Sequence, residues 1–352
     1  MQQILFLTRG HGYGHAATDL PIIEHLRQLL PAVEIKIASY GTGLEYYRLR
    51  SVDCADLAID DNDDQTTEAL RRVLLYLRTL PRLPDLIVSD ELFLLPRLCK
   101  RLGIPNVLLT HWFFKDMGLP ELDAAMDGAN AVIVVDFPDA HCRPDVVGPD
   151  FLFSGPLARE IDLDRPAART RLGLDPINPI AVLTLGSTAE FKVPDLEVAA
   201  ERYLRAWAAR ATRAAVLYVL VEKSFSKKLR FEIDSSVRWI GVTPDADTYY
   251  AASDIILTSS SLNSLGLLGR NGLKGLTLIG HVNEVERLHG EYFAGLGLEN
   301  IRVVDESAPI GDLTELIDEG LTSKPHRVPA ENESLEWGDP AKVSTWIASY
   351  LD

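Results

Sequence analysis

A turn rich in glycine and histidine, residues 10–15, separates two segments with different hydrophobic periodicities. An apolar run at residues 4–7 precedes the turn, and apolar side chains at the spacing of one helix face follow it at residues 20–30. A buried strand, a tight turn and an amphipathic helix are typical of the opening unit of a βαβ domain. Glycine lets the backbone turn sharply and lets a ligand come close. His15 lies where the helix begins after the first strand, so we expect it at the carboxyl edge of a parallel sheet, which is where ligands bind.

The turn alone leaves its role open. It does not match the dinucleotide-binding pattern G-x-G-x-x-G, since His15 occupies the place where a third glycine would be counted. The glycines could serve only to shape the turn, while His15 caps the helix or packs against it. The alternative is that His15 takes part in binding or chemistry.

The composition restricts the class of protein. A chain of 352 residues is long for one hydrophobic core and predicts two domains. The net charge of -16 argues against a general nucleic-acid binder, which needs a basic surface. The 3 cysteines form no C-x-x-C pair, zinc spacing or even disulfide set, which favours a reducing, cytoplasmic setting. We find no signal-peptide pattern and no apolar run of about 18 residues, so no transmembrane segment is expected.

Apolar runs alternate with helix-like segments along both halves of the chain. In the first half they predict about six strands, at residues 4–7, 34–39, 55–59, 85–90, 106–110 and 131–135. In the second half they predict strands at residues 180–185, 215–221, 237–242, 255–258 and 276–279. Strands that alternate with helices in this way are typical of parallel, doubly wound sheets.

The composition changes around residues 154–170, where glycine, proline and aspartate predict a linker. We therefore expect an α/β protein with two Rossmann-like, doubly wound parallel-sheet domains that face a central cleft, the usual place for a ligand. Residues 1–155 are the predicted first domain and residues 156–338 the second. A C-terminal helix within residues 339–352 could pack back on the first domain.

Four short motifs lie at or near the ends of predicted strands. They are Gly12-Tyr13-Gly14-His15; Val88-Ser89-Asp90 with Gly103-Ile104-Pro105 after a helix; Leu185-Gly186-Ser187; and Ala252-Ser253-Asp254 through Gly272 with His281-Val282-Asn283-Glu284. Their order and spacing resemble the GT-B glycosyltransferases over nearly the whole chain. The layout is closest to the UDP-dependent glycosyltransferases and to the GlcNAc transferase that makes lipid II.

The resemblance implies a reaction and its co-substrate. The reaction is an inverting, metal-independent transfer of a hexosyl or N-acetylhexosaminyl group to an acceptor hydroxyl. The donor is a nucleotide-diphosphate sugar, with UDP or dTDP as the expected nucleotide, and no cofactor is bound permanently. The expected partners are therefore a small-molecule donor and acceptor, without nucleic acid, while the oligomeric state is left open.

The resemblance also implies that His15 is the general base and that Asp90 holds it. A histidine has a pKa near neutrality, and a carboxylate behind the ring fixes its tautomer and stabilises its charged form, so the pair suits proton removal from a hydroxyl. Asp90 could instead be a helix N-cap. His11 is a second candidate base, ranked below His15 because it lies earlier in the turn.

The resemblance places the donor diphosphate at residues 259–264, where a helix begins. Backbone N–H groups and the helix dipole stabilise an anion there, although the serines could equally be helix caps. Three features depart from the family: Ser260-Ser261 replaces the two glycines that often form the donor loop, residues 266–268 lack the acid that often holds the ribose, and Asn283-Glu284 replaces an acid–glutamine pair. The predicted donor-binding residues are Gly12, Gly14, Ser187, Thr188, Gly241, Val242, Ser260, Ser261, Asn263, Ser264 and Glu284.

An aromatic cluster after the fifth predicted strand supplies the predicted acceptor-binding residues, His111, Trp112 and Phe113. Such rings offer apolar area to an acceptor, but they could also pack in a core or between domains. Two other functions remain open. One is a nucleotide-sugar hydrolase or 2-epimerase of the same architecture. The other is a non-catalytic relative that binds a ligand or a partner, which the missing acid at residues 266–268 favours.

Overall fold

The computed structural model describes residues 1–60, 63–111, 125–140, 148–185, 194–210, 214–221, 223–226, 235–280, 284–323, 335 and 337–351. The chain divides into two compact units. Met1–Arg159 together with Leu335–Asp352 forms the first unit, and Glu160–Ser334 forms the second. Each unit is built around one parallel sheet, which confirms the predicted α/β class with two doubly wound sheets.

Within the described residues, the sheet of the first unit has 7 strands in the order β3-β2-β1-β4-β5-β6-β7, and neighbouring strands run parallel. The chain moves outward from β1 through β2 to β3 and then returns to β4 on the other side of β1. The carboxyl ends of β1 and β4 therefore flank the point where the strand order reverses, which is where such sheets bind ligands. The strands are β1 Gln3–Thr8, β2 Glu34–Ser39, β3 Ala55–Asp56, β4 Leu86–Asp90, β5 Asn106–Thr110, β6 Ala131–Val134 and β7 Asp150–Phe153.

Helices cover both faces of this sheet. The apolar side chains of β1 point alternately to the two faces, so each face needs a covering layer. Ile4 and Phe6 pack with the helix Gly14–Leu29, whereas Leu5 and Leu7 pack with two helices on the opposite face. The α-helices between β1 and β5 are α1 Gly14–Leu29, α2 Gly41–Leu49, α3 Thr67–Thr79 and α4 Leu95–Leu102.

In the described part of the second unit, the sheet has 6 parallel strands in the order β10-β9-β8-β11-β12-β13. The strand order reverses between β8 and β11. The strands are β8 Ile180–Leu183, β9 Val216–Val219, β10 Val237–Trp239, β11 Ile255–Ser259, β12 Gly275–Ile279 and β13 Ile301–Asp305. The helices are α5 Arg165–Arg171, α6 Pro194–Ala209, α7 Lys223–Ser226, α8 Ala246–Ala252, α9 Leu262–Arg270, α10 Glu284–Leu296 and α11 Ile310–Thr322.

Two edge strands differ from the sequence-based prediction. The expected number of about six strands in the first half was too low, because β7 was not identified, and β13 was missed in the second half. Both strands lie at the edge of their sheet, and several of their residues are only half-buried or exposed. An edge strand needs no continuous apolar run, so its hydrophobic pattern is weak.

The last helix, α12 Pro340–Ala348, belongs to the first unit. Val343 and Ile347 are fully buried in the same core cluster as the apolar face of α1. The hydroxyl of Ser344 donates to the backbone oxygen of Ile22 on α1 at 3.0 Å. None of the helices in the described part of the chain is long and apolar enough to span a membrane.

Candidate functional site

The turn between β1 and α1 brings His15 to the carboxyl edge of the first sheet. Gly12 in this turn has a φ of +81°, a conformation that other residues adopt only with strain. A side chain at Gly10 would come within 2.3 Å of the Tyr40 backbone oxygen, so this glycine permits a close approach of two segments. The helix then begins at Gly14, which places His15 in its first turn.

Asp90 ends β4 on the face of the sheet that α1 covers. It is the register partner of Thr8, the last residue of β1. The Nδ1 atom of His15 lies 2.9 Å from Oδ2 of Asp90, and the two side chains are only 11% and 5% exposed. The structure therefore brings together the two residues that the resemblance pairs. Asp90 is not the N-cap of α4, since that position is Leu94.

The contact defines what the imidazole of His15 can do chemically. An ionised carboxylate only accepts hydrogen bonds, so the contact with Asp90 favours the tautomer with its hydrogen on Nδ1. The Nε2 atom then carries the lone pair that can accept a proton. A carboxylate at Nδ1 also stabilises the imidazolium that forms when Nε2 takes up a proton. The arrangement is suited to general base chemistry.

Glu91 is a third member of this site and is absent from the sequence-based prediction. Its side chain is fully buried and its Oε1 atom lies 2.9 Å from Nδ1 of His111. Its Oε2 atom lies 3.2 Å from Nη1 of Arg9 and 3.7 Å from Nε2 of His15. The signal in the sequence was the pair of carboxylates at the end of β4, of which only the first was singled out.

Two histidines of the site, His11 and His111, have pKa values that are shifted in opposite directions. Burial lowers the pKa of His111, but the carboxylate of Glu91 outweighs it and the net pKa is raised. Burial, Arg9 and His15 together lower the pKa of His11 to about 3, so His11 is neutral near pH 7. Burial would raise the pKa of Glu91, but His111, His15 and Arg9 hold it well below its ordinary value. Glu91 is therefore a carboxylate, and His111 is the histidine that its surroundings favour as a cation.

A second buried carboxyl group, Asp19, lies behind the pair formed by His15 and Asp90. Asp19 follows His15 by one helical turn on α1 and is fully buried. The Thr8 hydroxyl donates to Oδ2 of Asp19 at 2.6 Å and lies 3.0 Å from the Tyr47 hydroxyl. Burial and the nearby Asp90 raise the pKa of Asp19 well above its ordinary value, which favours its neutral form. The nearby carboxyl group of Asp19 therefore adds no second negative charge next to Asp90 when it is in this neutral form.

In the second unit, the predicted donor turn joins β11 to α9. Ser261 is the N-cap of α9, and its hydroxyl accepts from the Ser264 N–H at 3.4 Å and donates to the Ser264 hydroxyl at 2.9 Å. The helix-capping interpretation therefore holds for Ser261, and it does not exclude anion binding by the N–H groups of the first turn. Ser260 is fully buried against Gly290 of α10, and within the described residues its hydroxyl has no hydrogen-bond partner.

The other predicted site residues lie in both units or outside the described part of the chain. Gly12 and Gly14 lie in the turn of the first unit, beside His15. Asn263 lies in the first turn of α9, and Glu284 is the exposed first residue of α10. Gly241 has a φ of +84° and precedes the half-buried Val242 after β10. Four predicted residues lie outside the described part of the chain: Trp112, Phe113, Ser187 and Thr188.

Comparison with solved structures identifies the fold. The glycotransferase of kitacinnamycin aligns with a TM-score of 0.67 and 18% identity, covering 100% of this chain and 99% of that one. The spinosyn rhamnosyltransferase SpnG complexed with thymidine diphosphate aligns with a TM-score of 0.64 and 14% identity, covering 100% of both chains. The Staphylococcus aureus MnaA–UDP structure aligns with a TM-score of 0.67 and 12% identity, covering 100% of this chain and 96% of that one.

The sequence itself matches no protein-family model and no curated protein. The solved structures nevertheless match over the full length of the chain, through both sheets and their helices. At identities of 12–18%, this coverage shows a shared fold only. The chemistry has to be inferred from the residues of the site. The chain therefore has the fold of the GT-B glycosyltransferases.

Proposed function

We propose that the protein is a metal-independent glycosyltransferase that moves a hexosyl or N-acetylhexosaminyl group from a nucleotide-diphosphate sugar to an acceptor hydroxyl, with inversion. The contact of 2.9 Å between His15 and Asp90, at the carboxyl edge of the first sheet in a chain of this fold, carries the proposal. It supplies a group that can take up the proton which the acceptor hydroxyl loses during transfer.

The proposed reaction is a single displacement. The acceptor hydroxyl gives its proton to Nε2 of His15 while its oxygen forms a bond to the anomeric carbon. The bond from that carbon to the diphosphate breaks, and the leaving group takes the electron pair. Asp90 stabilises the imidazolium of His15 as it forms. One displacement at the anomeric carbon inverts its configuration.

The proposed donor site is the N-terminal turn of α9. Its first N–H groups and the positive end of the helix dipole favour a diphosphate. Thymidine diphosphate is bound to SpnG and UDP to MnaA in the structures compared above, and we propose a uridine or thymidine diphosphate sugar for this chain. Asn263 and the backbone at Gly241 are the proposed further donor contacts.

The first test is turnover with His15→Ala, using UDP-sugars and dTDP-sugars with a panel of hydroxyl acceptors. Loss of the base should lower kcat by about 100-fold or more. His25→Ala is the matched control, because His25 lies on the same helix α1 and outside the site. Unchanged turnover in His15→Ala would remove the proposed mechanism. Fast release of sugar from the donor without any acceptor would instead identify a hydrolase.

A second candidate function is ligand binding without catalysis. It is favoured by the sequence of α9, Leu262–Arg270, which carries no acidic residue to hold a ribose. A thermal-shift screen with UDP, dTDP and GDP tests nucleotide binding without assuming a reaction. Stabilisation by UDP or dTDP without turnover would favour this candidate. Stabilisation accompanied by turnover that depends on His15 would favour the transferase.

A further inference from the structure

The carboxylate of Glu91 is shared by groups from three different segments of the first unit. Arg9 follows β1, His15 opens α1, and His111 follows β5. One oxygen of Glu91 meets Nδ1 of His111 at 2.9 Å, and the other lies 3.2 Å from Arg9 and 3.7 Å from Nε2 of His15. A single buried carboxylate therefore connects both imidazoles to a guanidinium.

The local backbone holds this carboxylate in place. Glu91 has a φ of +50°, which is strained for a residue with a side chain. Its N–H donates to the Leu109 backbone oxygen at 3.1 Å, and its own backbone oxygen accepts from the Gln65 side chain at 2.7 Å. The His111 backbone N–H donates to Oε1 of Glu91 at 3.2 Å. Strained residues held by several contacts cluster at functional sites, and a buried charge is tolerated only where it is paired.

We propose that Glu91 is a positioning residue of the same reaction: its carboxylate fixes His111 beside His15 and stabilises the positive charge that His15 acquires with the acceptor's proton. The proposal rests on the proposed function. Glu91 itself forms and breaks no bond, since the proton passes from the acceptor hydroxyl to Nε2 of His15 and Glu91 stays ionised throughout.

The geometry gives His15 a carboxylate on each side of its ring. Asp90 contacts Nδ1 at hydrogen-bond distance, whereas Glu91 lies 3.7 Å from Nε2. The longer distance exceeds that of a hydrogen bond, so Glu91 acts on His15 through its charge and leaves the hydrogen on Nδ1. A proton on Nε2 would face this negative charge. Asp90 therefore sets the tautomer, and Glu91 stabilises the protonated state.

The same carboxylate forms a second histidine–carboxylate pair. The rings of His15 and His111 have centroids 6.0 Å apart, and each ring turns Nδ1 towards a carboxylate at 2.9 Å. Burial lowers the pKa of His111, but Glu91, Asp90 and Asp136 raise it to a higher net value. These carboxylates thus favour the protonated form of His111, beside the imidazole of His15 that receives the acceptor's proton.

Other charges also face the site. The positive charge of Arg9 lowers the pKa of His11. Asp64 contacts Nε of Arg9 at 2.6 Å and offsets part of that charge. Glu91 and Asp64 are therefore two carboxylates that share the same guanidinium. Of the two, Glu91 also contacts His15 and His111, which makes Asp64 a matched control.

The test compares wild type, Glu91→Gln, Glu91→Asp and Asp64→Asn by NMR titration of the histidine side chains and by the pH dependence of kcat. In wild type, His111 should titrate above the ordinary histidine value of about 6.5. Glu91→Gln should lower that midpoint by about 1 pH unit or more and lower kcat on the order of tenfold, with the KM for the donor changed by less than about twofold. Glu91→Asp should restore part of both, and Asp64→Asn should change both far less than Glu91→Gln does.

Two results would overturn the proposal. The first is a wild-type His111 that titrates below the ordinary histidine value, which needs no variant to fold. The second is a folded Glu91→Gln protein whose His111 midpoint and kcat equal those of wild type. Full turnover in His15→Ala would instead remove the proposed function itself. The titration needs no substrate, so the two failures are distinguishable.

Discussion

At the scale of single residues, charge state depends on neighbours that lie far away in the sequence. Asp19 and Asp90 are both buried aspartates of the first unit, yet Asp90 contacts a histidine whereas Asp19 contacts the hydroxyl of Thr8. Burial and Asp90 raise the pKa of Asp19 well above its ordinary value. The sequence places Asp90 in a motif and carries no comparable signal for Asp19.

The raised pKa of Asp19 predicts a pH-dependent stability. A carboxyl group whose pKa is higher in the folded than in the unfolded state stabilises the fold fully only below its unfolded pKa, near 3.8. That contribution is lost as the pH rises through the folded pKa. Asp19→Asn cannot ionise and keeps an oxygen that accepts from Thr8. The free energy of unfolding of wild type should therefore fall more with rising pH than that of Asp19→Asn.

Denaturant unfolding at a series of pH values from about 4 to 8 measures this difference. Asp127→Asn is a suitable control, because Asp127 is an exposed aspartate of the same unit. Its pH dependence should follow that of wild type. Parallel curves for wild type and Asp19→Asn would contradict the interpretation of Asp19 as a neutral buried group.

At the scale of secondary-structure elements, the beginning of α9 combines structure with proposed function. Ser261 caps the helix, whereas Ser260 is enclosed against α10 and its hydroxyl has no partner within the described residues. The two adjacent serines therefore have different physical roles, although the sequence predicted both as donor-binding residues. A local pattern identifies where a helix begins, but it does not say which way each side chain of the turn points.

The two serines should respond differently to removal of their hydroxyl groups. Ser261→Ala removes a helix cap and should lower the free energy of unfolding by about 1 kcal/mol. Ser260→Ala removes a buried hydroxyl without a partner and should leave stability unchanged or higher. Chemical denaturation measures both, and nucleotide titration adds a second readout. Weaker UDP or dTDP binding by a fully stable Ser260→Ala protein would place that hydroxyl on the donor, contrary to its enclosed position.

At the scale of the whole molecule, the chain forms two units with separate hydrophobic cores. Ile347 of α12 is fully buried in the core of the first unit, together with residues of α1. Ile317 of α11 is fully buried in the core of the second unit. The helix α12 is thus part of the core of the first unit, although the whole second unit lies between α12 and the rest of the first unit in the sequence.

Matched truncations of these isoleucines should act on different units. Ile347→Ala and Ile317→Ala each remove a buried side chain and should cost about 2–5 kcal/mol. Hydrogen exchange followed by mass spectrometry should show faster exchange in β1 and β4 for Ile347→Ala, and in β8 and β11 for Ile317→Ala. Faster exchange in the same strands for both variants would show that the two cores do not respond separately.

The sequence by itself determined the α/β class, the parallel sheets and the place of the turn before α1. Hydrophobic periodicity and glycine positions are local signals, so they indicate strands, helices and turns without any knowledge of how the chain packs. The sequence did not determine the edge strands β7 and β13, because their residues are incompletely buried and their hydrophobic pattern is weak.

Only the tertiary structure decided that Glu91 meets His111, Arg9 and His15, and that Asp19 is enclosed behind Asp90. These contacts join residues that are distant along the chain, through strand order and register. The charges of the site follow from burial and proximity, which a one-dimensional pattern does not contain.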